Sequence, residues 1–144
     1  MTLAPFLIDV EASKQDIFDE EAIAQLLEGF RLPTADEWEY ACSGGATTLF
    51  RWGNHCPTDE ISEHPKGFDL HQRRNAFGLV MNESSYTLEL CEGEQYRGGD
   101  GGSAVCGAYG AVVTWMPFAS SFTPGEELDP AGIDEVWVRR VRSL

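Results

Sequence analysis

The sequence predicts an α+β domain, and two observations carry that prediction. Helix-start signals crowd the first third of the chain, at Asp19 and at Thr34. After residue 46 the apolar pattern changes to short runs rich in β-branched and aromatic residues, separated by Gly, Pro, Asn and Asp. Two helices followed by short antiparallel strands, with no strand–helix alternation, fit α+β and not α/β. At 144 residues the chain reads as a single domain, 1–144, loop-rich, with residues 1–16 as an N-terminal arm.

The elements follow in order. Leu3 to Val10 is expected as an edge strand or extended arm, with Pro5 opposing a central position. Asp19 is a candidate N-cap, with Phe18 and Ile23 placed for a hydrophobic staple. Ala22, Ile23, Leu26, Leu27 and Phe30 make the inward stripe of this helix, and Gly29 stops it. The second helix is expected from Ala35 to about Ser43. Pro33 bars any preceding helix, Thr34 and Glu37 form a capping box, Asp36 and Glu37 complement the helix dipole, and Gly44-Gly45 ends it. Trp38, Ala41 and Cys42 form its buried face. Strands are expected near Leu49 to Trp52, Leu79 to Met81, Thr87 to Leu90, Ala111 to Met116 and Glu135 to Val141. Pro57 to Arg74 and Ser120 to Gly132 are long polar loops.

The net charge of −14 argues against nucleic acid or an anionic membrane surface as partner, because both would repel it. No stretch has the length of a membrane span, and the apolar run Leu3 to Ile8 lacks the basic flank and cleavage site of a signal peptide. Cys42, Cys56, Cys91 and Cys106 are widely spaced with no CxxC pair, which predicts free thiols and a cytoplasmic setting.

Four blocks are more particular than capping and packing require. They are Arg31-Leu32-Pro33-Thr34-Ala35-Asp36-Glu37-Trp38-Glu39-Tyr40-Ala41, then Arg51-Trp52-Gly53-Asn54, then Asn75-Ala76-Phe77-Gly78-Leu79, then Arg97-Gly98-Gly99. In that order the set resembles the formylglycine-generating enzyme family, also called the sulfatase-modifying-factor family, over roughly residues 17 to 142. The resemblance implies the family fold, a loop-rich α+β architecture related to C-type lectins. It also implies, relative to the family domain, a short N-terminal part: 30 residues precede Arg31. A retained fold would then leave apolar surface or a strand edge to be covered by a protein partner, by homodimerisation or by the Leu3 to Val10 arm.

The family's oxidases hold copper(I) between two cysteines and convert a substrate cysteine to formylglycine; two soft thiolates suit that ion. Within Gly101-Gly102-Ser103-Ala104-Val105-Cys106, Cys106 matches the first of those cysteines and Ser103 the serine before it, but the second falls on Ala111. If Arg97-Gly98-Gly99 is instead the counterpart, the two positions are Ser103 and Ala108. Neither register supplies the pair, so no copper site is expected. The family's calcium-binding element corresponds to Ser84 to Leu90, where Glu89 survives and the Gly-Asn does not. Glu89 and Asn75 are the candidate metal-side residues, for calcium at low affinity only. Glu89 reads more simply as an acceptor for backbone N–H groups or an arginine, and Asn75 as a turn former. His55, His64 and His71 read as loop histidines before ligands. The glycine run from Gly98 to Gly110 reads as tight turns and close backbone packing, since no Lys and no helix signal follows it.

The expected function is that of a non-catalytic member of this family, a binding or assembly module for a protein or small ligand. Its groove would be formed by the residue 55–74 loop, with His71 and Arg74, together with Trp115 and the glycine run. The alternative is an oxygen-dependent oxidoreductase with an altered active site using Cys106.

Overall fold

The first and last strands of this chain are partners. A computed structural model describes residues 2–56, 69–107, 110–125 and 134–144. Strand β1 (Phe6–Ile8) lies antiparallel to β6 (Val141–Ser143), with Leu7 opposite Arg142, as a two-stranded sheet. The second sheet has the order β2-β5-β3-β4, from Ser13–Asp16, Glu135–Val138, Leu88–Cys91 and Gln95–Gly98. The pairs β2–β5 and β3–β4 are antiparallel, but β3 and β5 run parallel, with Glu89 beside Trp137. Strands precede and follow the helices, so the expected order of helices and then antiparallel strands holds only in part; the α+β class stands.

Helix α1 (Glu20–Leu26) begins where Asp19 accepts the Ala22 N–H at 2.9 Å. Ile23, Leu26 and Leu27 pack on buried Leu88, Val136 and Val138. Phe18 is 70% exposed, so the expected staple does not close. Phe30 leaves the stripe as well and lies under the Arg140 guanidinium, 4.5 Å from ring centre to cation.

Helix α2 (Ala35–Ser43) has the expected capping box and ends on left-handed Gly44 at φ +60°. Trp38, Ala41 and Cys42 are buried together with Met81 and Cys91. Glu37 has a second task that the capping signal did not reveal. Its carboxylate accepts the Thr34 N–H at 2.9 Å and both terminal nitrogens of Arg31 at 2.7 Å. The Arg31 backbone meanwhile exchanges hydrogen bonds with Val141 in β6, at 2.9 and 2.8 Å. The start of α2 is thereby pinned to the C-terminal strand.

Three expected strands are not strands. Leu49 to Trp52 enters a tight turn closed by reciprocal backbone bonds between Phe50 and Gly53, which Gly53 permits at φ +123°. Leu79 to Met81 is extended, and its one strand-like bond is Val80 N–H to Val10 C=O at 3.0 Å. Ala111 to Met116 is instead helix α4 (Ala111–Trp115), running into a 3-10 turn at Met116–Phe118. There the burial of Trp115 and Phe118, three residues apart, overrides the β preference of Val112 and Val113. Several elements went unforeseen, among them β2, which reads Ser-Lys-Gln-Asp, β4, which reads Gln-Tyr-Arg-Gly, and the one-turn helix α3 (Ser103–Cys106). Among the described residues no helix is long and apolar enough to cross a membrane.

The Arg31 hydrogen bonds hold the Glu37 carboxyl below its ordinary value against the opposing effect of burial. A depressed carboxylate adds stability that is complete above the ordinary carboxylate range and lost as pH falls through its folded value. Replacing Glu37 with Gln should cost about 2 kcal/mol at neutral pH, through the lost ion pair with Arg31, since Gln can still accept the Thr34 N–H. Chemical denaturation across pH checks this: the gap from the native chain should begin to narrow below about pH 4 and close as the folded carboxyl takes up its proton.

Candidate functional site

A buried ion pair organises the region where function was expected. Glu89 on β3 and Arg139, just after β5, are each 1% exposed. Arg139 donates Nε and Nη2 to the two Glu89 oxygens, each at 2.8 Å, and Trp38 on α2 donates its indole N–H to the same carboxylate at 2.9 Å. The remaining Arg139 donors reach the carbonyls of Asp9 and Val80, both at 2.8 Å. Glu89 therefore takes the arginine-acceptor role that its surroundings offered. A guanidinium already stands where a cation would have to sit, so the carboxylate does not fit a calcium ligand set.

Asn75 is similarly committed. Its amide nitrogen donates to the C-terminal carbonyls of α2, Ala41 at 2.6 Å and Cys42 at 3.2 Å. Its oxygen accepts the N–H groups of Phe77 and Leu79 at 3.0 and 3.1 Å. The Asn-Ala-Phe-Gly-Leu block is thus a turn fastened to the helix end, and both acceptor positions of the amide oxygen are occupied.

Arg51 plays a matching part in the second block. Its guanidinium donates to the carbonyls of His71, Met81 and Asn82, tying two segments to one half-buried cation. Burial lowers its pKa from the ordinary arginine value.

The residues expected to line a groove do not share one surface. Trp115 and His71 are each 1% exposed and meet edge to face at 5.4 Å, in a cluster with Phe50 and Phe118. Both are core residues among the described contacts, a correction to their expected place on a binding face. Arg74 is on the surface, donating to Gly78 C=O at 2.9 Å and to Glu11 at 3.1 Å. The centre of the 55–74 loop, including His64, lies outside the described residues, as does Ala108.

Ser103 and Cys106 stand at the two ends of α3. The Asp100 carboxylate accepts the N–H groups of Gly102 and Ala104 at 2.9 and 2.8 Å, and Ser103 donates its hydroxyl to Asp100 C=O at 3.0 Å. Cys106 is exposed, with its sulfur 3.5 Å from the Tyr86 hydroxyl oxygen. The other thiols are differently placed. Cys42 and Cys91 are fully buried, which pushes their pKa values up to about 11 and about 12, and Cys56 packs on the Phe50–Trp115 cluster. Two-thiolate copper(I) coordination needs a second sulfur beside Cys106, and Ala111 at the start of α4 supplies none. Among the described residues no three His, Cys, Asp or Glu side chains gather as a metal site.

The glycine run packs as expected. A Cβ on Gly99 would lie 1.9 Å from the Ser85 carbonyl oxygen, and one on Gly102 would lie 2.0 Å from the Tyr86 ring. The start of the run, Gly98 to Gly102, therefore lies against the segment before β3, fixed by Gly99 N–H to Thr87 C=O and Asp100 N–H to Ser85 C=O, at 2.6 and 2.8 Å.

A further concave surface lies elsewhere. A groove of about 770 Å³ runs between the N-terminal segment from Thr2 to Val10 and a wall made by Tyr40, Ala41, Phe77 and Leu79. Its lining is apolar apart from Thr2 and the Tyr40 hydroxyl. Leu7, Val10, Tyr40 and Phe77 are all exposed there, and nothing in the expected groove anticipated this one.

The ion pair is the site's structural test. Glu89→Gln leaves a buried guanidinium without its counter-charge and should destabilise the fold by about 3–5 kcal/mol. Thermal melting should register this as a fall in Tm of roughly 10 °C. A shift of a degree or two would mean that the pair is dispensable.

The comparisons with known proteins come down to one match. No curated protein and no solved structure matches the chain. The family model described as the sulfatase-modifying factor enzyme 1-like domain matches residues 12–89, more than half of it. That span starts beside β2, takes in the α2 capping block, Arg51 and the Asn75 turn, and ends on Glu89. On that match, which coincides with the scaffold built around Glu89, the chain belongs to the sulfatase-modifying factor enzyme 1-like family.

Proposed function

We propose that the chain is a non-catalytic member of its family, a binding or assembly module for a protein partner in a cytoplasmic setting. The observation that carries this reading is the separation of concavity from chemistry. Among the described residues the groove's lining has no thiol, imidazole, carboxylate or amine side chain, while the exposed Cys106 lies outside it. Large apolar concavities on a protein surface are sites of binding. Free cysteines accord with a reducing compartment, and a net charge of −14 favours partners other than nucleic acid.

Copper(I) titration against a competing chelator, followed by mass spectrometry of a cysteine-containing peptide incubated with copper-loaded protein and oxygen, tests the reading. The expected result is no stoichiometric copper(I) and no aldehyde product. Formation of the aldehyde would overturn it.

A second reading, an oxidoreductase with an altered site at Cys106, is favoured by that thiol's exposure and its contact with the Tyr86 hydroxyl. Cys106→Ser discriminates between the two. On the binding-module reading the substitution leaves melting temperature and oxygen uptake in the presence of thiol peptides unchanged. Thiol-dependent oxygen uptake that vanishes in the variant would establish the second reading in its place.

A further inference from the structure

The open edge of β1 carries hydrogen-bonding groups that β6 does not use. Asp9 N–H bonds Arg140 C=O at 3.1 Å and Leu144 N–H bonds Pro5 C=O at 3.2 Å, which fixes the residues that face β6. Bonded pairs alternate along an antiparallel ladder. Residues 5, 7 and 9 therefore turn their backbone groups toward β6, and Ala4, Phe6 and Ile8 turn theirs away from it. The outward series is used once, where Val10 C=O accepts the Val80 N–H. N-terminal to that contact, no described residue bonds the N–H or C=O of Phe6 or Ile8. Pro5 belongs to the inward set, so its missing N–H does not interrupt the open edge.

These outward groups face the 770 Å³ groove, whose far wall presents Tyr40, Phe77 and Leu79. The two walls make different demands. A row of unpaired N–H and C=O groups at two-residue spacing is met by an extended backbone, and an apolar wall is met by apolar side chains. Charge narrows the occupant further. Residues 1 to 8 carry no charged side chain in a chain of net charge −14. On α2, exposed Asp36 precedes Tyr40 by four residues and so shares its face. Arg142 lies on β6, across the sheet from the open edge, and Arg140 is paired with Asp9 at 2.8 Å. A second copy would bring another −14 against this surface, whereas basic flanks would meet the acidic surroundings.

The geometry points to strand addition: the groove accepts an extended apolar segment of a partner protein, flanked by basic residues, which continues the β1–β6 sheet on its open edge. This rests on the reading of the chain as a binding module and names the partner's chemistry.

The probe is a fluorescent peptide of about ten residues, alternating valine and threonine with lysines at both ends. Anisotropy titration of the full chain should give saturable binding. It should be lost when alternate amides of the peptide are N-methylated on the edge that would pair, and weakened when the lysines become glutamates. Phe6→Pro deletes one outward N–H and leaves the inward bonds of residues 5, 7 and 9 in place. It should weaken binding by about tenfold, since a backbone bond is lost and the ring obstructs the edge. Phe6→Ala, which removes the same side chain but keeps the N–H, should bind within about threefold of the native chain. Circular dichroism melts confirm that each variant is folded. Absence of saturable binding by the folded native chain overturns the inference, as does binding indifferent to both N-methylation and Phe6→Pro. A dimer in sedimentation that Phe6→Pro dissolves, with no peptide bound, overturns it in favour of a second copy. The probe contains no cysteine, so its failure leaves the non-catalytic reading standing; the aldehyde and oxygen-uptake assays decide that.

Discussion

The Glu89 carboxylate, gripped by Arg139 on two oxygens and by the Trp38 indole on one, joins parts of the chain 50 and 51 residues apart in sequence. Desolvating two charges is expensive, and an apolar trio of equal volume could match or exceed the pair in stability. The pair's distinctive contribution is geometric. A guanidinium that also reaches the Asp9 and Val80 carbonyls can be satisfied in only one relative placement of α2, β3, β5 and the N-terminal arm. The parallel register of β3 on β5 and the depth to which α2 sinks are set together. Arg31–Glu37 at the start of α2 and Asn75 at its end repeat the device at lower cost, on partly exposed ground.

This arrangement explains which parts of the fold the sequence discloses. In capping α2, Thr34, Glu37 and Gly44 act on groups within four residues of themselves, so their spacing alone announces the helix and its ends. Trp38, Ala41 and Cys42 are readable for the same reason, because helical periodicity is local. Glu89 and Arg139 are ordinary charged residues until the sheet brings them together, and neither spacing nor composition marks them as partners. The run from Ala111 to Trp115 misled because β-branched residues carry a preference that burial of Trp115 overrode. Strand β2 had no signal, since its Ser-Lys-Gln-Asp side chains gain their place from pairing with β5.

The expected site fared differently from the expected fold, and for a physical reason. Trp115 and His71 looked like groove residues because aromatic and imidazole side chains serve both surfaces and cores; only neighbours such as Phe50 and Phe118 decide between them. Cys106 and Ser103 came out on the surface, yet without a second thiol beside them. The groove that does exist was expected only as some apolar surface or strand edge left to cover, and its position was not readable because it is made of a strand edge. Hydrogen-bonding capacity on a backbone has no residue type attached to it, and the side chains of Phe6, Leu7 and Ile8 read only as apolar. Within the span that the family model matches lie several residues that hold backbone segments in place: the Glu37 cap, the Arg51 clamp, the Asn75 turn and the Glu89 carboxylate.

The sheet order β2-β5-β3-β4 has a consequence for synthesis. Strand β5 is made from residues 135–138 yet is central, flanked by one strand made more than a hundred residues earlier and by another made about midway. Until it leaves the ribosome, β2 and the β3–β4 hairpin have no strand to join them, and Glu89 waits as a charge without its arginine. The nascent chain thus passes through a long interval with two open strand edges and an unneutralised carboxylate bound for the core. Non-local closure of this kind is slow and prone to aggregation. The net charge of −14 opposes association of neighbouring chains during that interval, while their sheets are still incomplete.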